Sequence, residues 1–234
     1  MNIKLLFALL VVSLCGIAHG CRGDEEVSFL WGDSDIRYSQ NSQPGVEGDD
    51  TLTLKGWKGE RVSAVAEIWS SETLDDVTFD ISRMKGPKGA AFRASDLETG
   101  YVTYQMADCL GPDGHGCGSR KDHSKFDSLL VADCIDHHLK AIDLVPGKVQ
   151  PLWVSIDIPR EAVPGTYTGT VLLKKGLRTL GRLHLDVVVE DNVLACPHDW
   201  DFHLDLWQNP FAVARYDALP LWSEAHIDAM RPLM

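Results

Sequence analysis

The sequence has few basic residues and no long apolar run. It carries 22 lysine and arginine residues against 34 aspartate and glutamate residues, for a formal net charge of −12. The basic residues are scattered, whereas proteins that bind nucleic acid cluster them on one surface. The apolar run Leu5–Leu14 spans ten residues, about half of the roughly 20 that a transmembrane helix needs. We therefore predict neither a nucleic-acid partner nor a membrane-spanning helix, whereas neutral ligands such as sugars are compatible with this composition.

Several motifs of known chemistry are also absent from the sequence. It contains no Gly-x-Ser-x-Gly nucleophile motif, no glycine-rich phosphate loop and no Cys-x-x-Cys knuckle. A zinc site that combines cysteines with His115 or His123 remains an alternative, but exported thiols usually form disulfides. We predict no cofactor and no metal.

The N-terminus has the pattern of an export signal. Lys4 precedes the apolar run, and the small residues Ala18 and Gly20 precede Cys21. Ordinary cleavage after these small residues would release a secreted protein. Lipid modification of Cys21, which we favour, would make it the new N-terminus and the protein's only contact with a membrane.

The acidic segment RGDEE follows Cys21 directly. It resembles the signature that follows the lipidated cysteine in surface lipoproteins of the gut Bacteroides group, although an ordinary hydrated acidic run would look the same. The resemblance implies a periplasmic or outer-membrane surface lipoprotein of a Gram-negative bacterium.

Four further cysteines follow Cys21 in the chain. Cys109 and Cys117 flank the turn LGPDGHG, where a disulfide would staple a loop that has little core of its own. Four cysteines allow three pairings, so the connectivity stays open.

Alternating apolar and polar residues dominate from Val62 to Glu190, as expected for strands with one buried face. The pattern predicts about seven strands and a mainly β, antiparallel, immunoglobulin-like β-sandwich. Pro146-Gly147 and Pro164-Gly165 read as hairpins or corners, and Gly169 within a strand indicates a bulge or a close neighbour. The side chains predicted to face inward are Val77, Phe79, Ile81, Leu152, Val154, Ile156, Ile158, Tyr167, Val171, Leu173, Leu183, Leu185, Val187 and Val189.

The last part of the chain begins a different structural unit. Residues 201–207 predict a strand, and Ser223 can cap a helix with Ile227, Met230 and Met234 along one face. One strand and one helix cannot cover this apolar face, so we expect the unit to belong to a larger barrel. The predicted organisation is a signal peptide (1–20), a tether with one edge strand at FLWG (21–50), a β-sandwich domain (51–193) and the start of a (β/α)8 barrel (194–234).

Three segments together resemble one known family. They are VADCIDHHLKAIDLVPGKVQPLWVSIDIP, IPREAVPGTYTGTVLLKK and DWDFHLDLWQNPFAVARYDALPLWSEAHIDAMRPLM. The last resembles the first strand and helix of the barrel in glycoside hydrolase family 123, the β-N-acetylgalactosaminidases, and the order of sandwich and barrel is the same.

The resemblance implies a retaining, substrate-assisted hydrolysis of terminal β-linked N-acetylgalactosamine. In that chemistry an aspartate orients the acetamido group and an adjacent glutamate donates the proton. The one Asp-Glu dipeptide of this sequence, Asp24-Glu25, lies beside the lipidation site. We therefore assign no catalytic residue and expect the chain to be inactive alone.

Residues near the end of the first barrel strand and in the loop that follows it are candidates for the sugar subsite. Asp205, Trp207 and Asn209 lie where barrel ligands bind, although Asp205 and Asn209 can equally serve as loop caps. The alternative function is a surface carbohydrate-binding or structural β-sandwich without enzymatic activity, for which Trp57, Trp69 and Trp153 are candidate sugar contacts.

Overall fold

The computed structural model describes residues 27–36, 38–41, 50–107, 129–202 and 208–233. The predicted signal peptide, most of the tether, Cys21, Cys109, Cys117, Asp205 and Trp207 lie outside these residues. The chain divides into two compact units, with the boundary between Leu194 and Ala195. No helix among the described residues combines the length and apolarity that crossing a bilayer requires.

The first unit is a sandwich of two five-stranded sheets. The strands are β1 (Val27–Gly32), β2 (Thr51–Lys58), β3 (Arg61–Ser70), β4 (Leu74–Ile81), β5 (Leu97–Ala107), β6 (Leu129–Asp136), β7 (Ala141–Leu144), β8 (Val149–Asp157), β9 (Gly165–Lys175) and β10 (Arg178–Val193). The strand order is β1-β3-β8-β5-β6 in one sheet, called sheet A, and β2-β10-β9-β4-β7 in the other, called sheet B.

The core lies between the two sheets and consists of the residues that alternate along each strand. Leu152, Val154 and Ile156 of β8 have no exposed surface, and the inward sets predicted on β9 and β10 are buried in the same cluster. Phe79 and Ile81 of β4 are partly buried against that cluster. The predicted mainly β, two-sheet fold is therefore confirmed.

Among the described residues the sandwich has ten strands rather than about seven, and β2 and β10 pair in parallel. The edge strand predicted at FLWG is β1, which pairs with β3. Strand β2 runs parallel to β10, with Leu52 opposite Leu185. Its leucines are only half-buried and it ends at the polar turn before β3, so its contribution to the sequence pattern is weak. Strand β7 has four residues, too few for an alternation to stand out.

Both predicted proline-glycine breaks are corners where the chain changes sheets. Pro146-Gly147 connects β7 of sheet B to β8 of sheet A, and Pro164-Gly165 connects β8 to β9 of sheet B. Gly147 has a φ of +72°, which a residue with a side chain adopts only at a cost. Gly169 is a site of close approach, since a Cβ there would lie 2.8 Å from Cγ of Met84.

The two sheets are joined by a buried hydrogen bond. The hydroxyl of Tyr101, on β5 of sheet A, donates to the carbonyl of Val77, on β4 of sheet B, at 2.8 Å. The Tyr101 ring also meets Phe79 edge-on, with 5.1 Å between the ring centroids. Burial raises the pKa of the Tyr101 phenol, so this hydroxyl remains a donor throughout the physiological range.

The second unit contains helices α1 (Pro210–Tyr216) and α2 (Glu224–Met230). The predicted cap of α2 is confirmed, because the Ser223 hydroxyl accepts a hydrogen bond from the His226 amide at 3.2 Å. Met230 is buried and Ile227 half-buried, as the helical spacing predicts. Helix α1 was not predicted, although Asn209 followed by Pro210 is a helix-start signal.

His226 connects the two helices through its ring. The ring is fully buried. Its Nδ1 accepts from the Trp222 amide at 2.9 Å, so the hydrogen lies on Nε2, which donates to the Pro210 carbonyl at 2.9 Å. The ring thereby connects the backbone of Pro210, where α1 begins, to that of Trp222, just before α2.

Candidate functional site

The outer face of sheet A carries a cavity of about 240 Å³. On β3, Ala64, Ala66 and Ile68 face the core, so the intervening Val65 and Glu67 face outward. Glu67 stands opposite Pro151 of the neighbouring strand β8, and Trp153 follows two residues later on the same face. All four outward residues line the cavity.

A β-bulge supplies a second acidic side chain. Thr103 of β5 pairs with Cys134 and Tyr104 pairs with Ala132, so Asp133 is an extra residue on β6. A bulge changes the direction in which a side chain points, and both Ala132 and Asp133 line the cavity. The shift in register therefore brings Asp133 to the cavity wall.

The segment after β1 covers part of this face. Ser34, Ile36 and Tyr38 line the cavity. A Cβ at Gly32 would lie 3.1 Å from Cγ of Glu67 and 3.2 Å from the Tyr38 ring. Glycine at this position therefore lets the chain and the Tyr38 ring approach Glu67 closely.

Glu67 is buried without a hydrogen-bond partner. Its exposed fraction is 1%, and neither carboxyl oxygen has a partner among the described residues. Burial raises its pKa from 4.5 to about 8, because an apolar environment disfavours the charged form. Burial, with the nearby Glu67 carboxyl, also raises the pKa of Tyr104.

The polar side chains near Glu67 are engaged elsewhere. Trp153 donates from Nε1 to the Ser155 hydroxyl at 3.0 Å. The Tyr104 hydroxyl donates to the Val149 carbonyl at 2.9 Å. Because these donors are used in other hydrogen bonds, the carboxyl of Glu67 is available to a ligand.

A second, more open groove surrounds Trp57. It measures about 360 Å³ and is lined by Lys55, Glu60 and Glu190, among others. The Trp57 side chain is 43% exposed and is oriented by a hydrogen bond from Nε1 to Oε2 of Glu190 at 2.9 Å. A fixed, partly exposed indole between carboxylates has the chemistry of a sugar-stacking platform.

Two of the residues predicted from sequence, Trp57 and Trp153, line these two sites. Asn209 caps helix α1, accepting from the Ala212 amide at 3.2 Å, and its role in sugar binding stays a prediction. Asp205, Trp207, Cys21, Cys109 and Cys117 lie outside the described residues. Trp153 points away from the core, as predicted, and lines the cavity. Trp69 is half-buried on β3.

Sequence reasoning missed Glu67. Its signal is a single acidic residue within the apolar strand segment AVAEIW, at a position where charged residues are rarely buried unless they are paired.

One group of described side chains could hold a metal ion. The ligand atoms of Cys196, His198 and Asp199 lie within 4.8 Å of one another. They come from one turn, and His198 and Asp199 are exposed. Three ligands from a single exposed turn do not form the closed tetrahedral set of a structural zinc site.

Comparison with known proteins agrees with the sandwich fold. Residues 31–175 match the family model described as the glycoside hydrolase 123 N-terminal domain. A family 123 glycoside hydrolase from Clostridium perfringens, solved in a study of glycolipid glycan hydrolysis, has 20% sequence identity and a TM-score of 0.69. The match covers 88% of this chain and 35% of that enzyme, so the chain spans about a third of the enzyme's length. No curated protein matches the chain.

Two further solved structures have much weaker likeness. A PapD-like domain of human CEP192 has 14% identity and a TM-score of 0.32, covering 82% of this chain and 97% of that one. The N-terminal domain of PorA has 9% identity and a TM-score of 0.32, covering 70% and 99%. At these scores neither supports an argument.

Proposed function

Because the chain belongs to the family of glycoside hydrolase 123 N-terminal domains, we propose that it is the N-terminal part of an exported enzyme that removes terminal β-linked N-acetylgalactosamine from glycans. The observation that carries the proposal is the family match across residues 31–175. The resemblance of the segment after Asp199 to the start of the family's barrel supports the same assignment.

The catalytic residues would then lie outside this chain. In the family that the sequence resembles, the substrate-assisted reaction uses an aspartate and the glutamate next to it, and Asp24-Glu25 is the one such dipeptide in the sequence. In the second unit, Phe211 is 56% exposed, Tyr216 71% and Trp222 60%. Exposed aromatic side chains of this number are usual where a further domain packs, which supports a larger catalytic barrel.

The test is an assay on a chromogenic β-N-acetylgalactosaminide. We expect no turnover above buffer by the chain of 234 residues and clear turnover by the product of the gene's whole reading frame. Turnover by the chain alone, or by neither polypeptide, would contradict the proposal. A chromogenic β-N-acetylglucosaminide is the matched substrate control, since it differs only in the configuration at one hydroxyl.

The proposed location is the cell surface, with Cys21 lipidated. The support is the small residues before Cys21 and the acidic run after it. Metabolic labelling with a fatty acid should mark the wild-type chain and not Cys21→Ala. Cys134→Ala is the matched control, since it removes an exposed thiol elsewhere. Labelling that survives Cys21→Ala would exclude the anchor.

A second candidate function, carbohydrate binding by the sandwich itself, is favoured by the groove around Trp57. The indole is held by Glu190 and remains 43% exposed, as stacking on a sugar ring requires. On a glycan array, Trp57→Ala should lose any binding that the wild type shows, whereas Phe211→Ala, which removes an exposed aromatic outside the groove, should retain it. An array without signal for the wild type would remove this candidate.

A further inference from the structure

We propose that the cavity around Glu67 binds the primary ammonium group of a small organic amine. The inference concerns the sandwich alone and does not depend on the glycosidase assignment.

The buried carboxyl of Glu67 is the anchor of the proposed site. A carboxyl removed from water without a hydrogen-bond partner lowers stability, and this one is 1% exposed with both oxygens unpaired among the described residues. A ligand that brings its own donors would remove that cost on binding. An ammonium group brings three donors and a compensating charge.

The remaining wall favours a cation over other ligands. Asp133 adds a second carboxyl to the lining, while no lysine, arginine or histidine is among the described lining residues. Tyr38 and Trp153 contribute aromatic rings, whose faces attract cations. An anion would be repelled by either acid in its charged form. A calcium or magnesium ion would need about six oxygen ligands, which this largely apolar wall does not supply.

The cavity suits a small ligand. Its volume of about 240 Å³ lies below the roughly 300–1,000 Å³ usual for drug-sized ligands. Apolar contacts come from Ile36, Val65, Val102 and Ile135. A short alkyl chain or a single amino sugar ring bearing the ammonium group therefore fits the chemistry of the site.

Binding should release a proton from Glu67. The free carboxyl, with a pKa of about 8, is mainly protonated at pH 7, whereas the ammonium complex requires the carboxylate. Affinity should therefore rise with pH by up to about tenfold per unit as the pH approaches 8. The other described titratable groups facing Glu67 are Tyr38, Tyr104 and Asp133. Burial raises the pKa of Tyr104, so its hydroxyl stays protonated between pH 6 and pH 8.

The experiment is calorimetric titration of the chain with n-butylammonium chloride at pH 6, 7 and 8. We expect binding that strengthens with pH. Glu67→Gln should weaken it by roughly tenfold to a hundredfold and remove the pH dependence. Glu72→Gln is the matched control, because it removes the same charge from an exposed site and should bind as the wild type does.

The neutral isostere butan-1-ol separates charge recognition from simple apolar filling. Equal binding of the alcohol and the ammonium ion, full binding by Glu67→Gln, or no binding of n-butylammonium at millimolar concentration would each overturn the proposal. Galactosamine, tested beside its N-acetyl form, distinguishes an amino sugar from an alkyl amine as the source of the ammonium group.

Arg37 lies outside the described residues. Its sequence neighbours Ile36 and Tyr38 both line the cavity, so the effect of Arg37 is tested directly. Arg37→Gln should leave the affinity for n-butylammonium and the pKa of Glu67 within a factor of about two. A large gain in affinity, together with a raised pKa, would mean that this guanidinium already pairs with Glu67, and would overturn the proposal.

Discussion

Each unit buries one polar side chain whose surroundings can be compared, and the two differ in whether their polar atoms have hydrogen-bond partners. His226 in the second unit is fully buried, and both ring nitrogens are hydrogen-bonded to the backbone. Glu67 in the first unit is 1% exposed, and neither oxygen is paired among the described residues. Burial alone therefore does not make a residue a candidate for ligand binding, whereas burial without a partner does.

The difference follows from where each residue lies. His226 is near the start of both helices, where the Trp222 amide and the Pro210 carbonyl lie within hydrogen-bond distance of its ring. Glu67 lies in the middle of β3, where the neighbouring backbone bonds to β1 and β8. A strand interior offers its side chains no free backbone donors, so a buried carboxyl there depends on another side chain or on a ligand.

The largest expected effect is the pH dependence that Glu67 imposes on stability. Its folded pKa of about 8 exceeds the ordinary 4.5, so its contribution is most favourable below pH 4.5 and is lost as the pH rises to 8. The free energy of unfolding of the wild type relative to Glu67→Gln should fall by about 3–4 kcal/mol between pH 5 and pH 8. Urea unfolding followed by circular dichroism measures this difference.

The matched control is again Glu72→Gln, which should follow the wild type across this pH range. Parallel profiles for the wild type and Glu67→Gln would mean that Glu67 ionises as freely in the folded chain as in the unfolded chain. The contrast with His226 would then disappear.

The second-largest expected effect is the loss of stability when His226 is removed. His226→Ala leaves the Trp222 amide and the Pro210 carbonyl without their partner and opens a cavity between the helices. We expect a local loss of about 2–3 kcal/mol, seen as faster amide hydrogen exchange across residues 209–230. His198→Ala, which removes an exposed ring from the same unit, should leave that exchange unchanged. Equal exchange in both variants would contradict a structural role for His226.

The smallest effect concerns the cap of α1. Asn209→Ala removes the bond to the Ala212 amide and should cost about 1 kcal/mol, while Asn209→Ser should retain most of the cap. Hydrogen exchange of the first turn of α1 measures the change. If Asn209→Ala exchanged no faster than Asn209→Ser, the side chain would be free for the sugar contact predicted from sequence.

The sandwich was largely predictable because its strong strands bury one face. The alternation in β8, β9 and β10 identified their inward residues correctly, since each strand carries three or four large apolar side chains on the same side. Strand β2 was not predicted from the sequence because its leucines are half-buried. Its parallel pairing with β10 also depends on a partner more than 120 residues away in sequence. Local periodicity has no information about such a pairing.

The cavity was not predictable for a different reason. Glu67 stands out as one acid in an apolar strand, but its lack of partners depends on Tyr38, Pro151 and Trp153, which two other segments of the chain bring to it. Asp133 reaches the wall only because the register of β5 and β6 shifts by one residue. The cap at Asn209, by contrast, was readable from the Asn-Pro signal, since capping is a local interaction.

The most direct measurement is a carbon-13 NMR titration of the Glu67 side-chain carboxyl, assigned by its loss in Glu67→Gln. The account predicts a pKa near 8 in the free chain and a marked decrease when n-butylammonium is added. A pKa near the ordinary 4.5 in the free chain, unchanged by the amine, would contradict it.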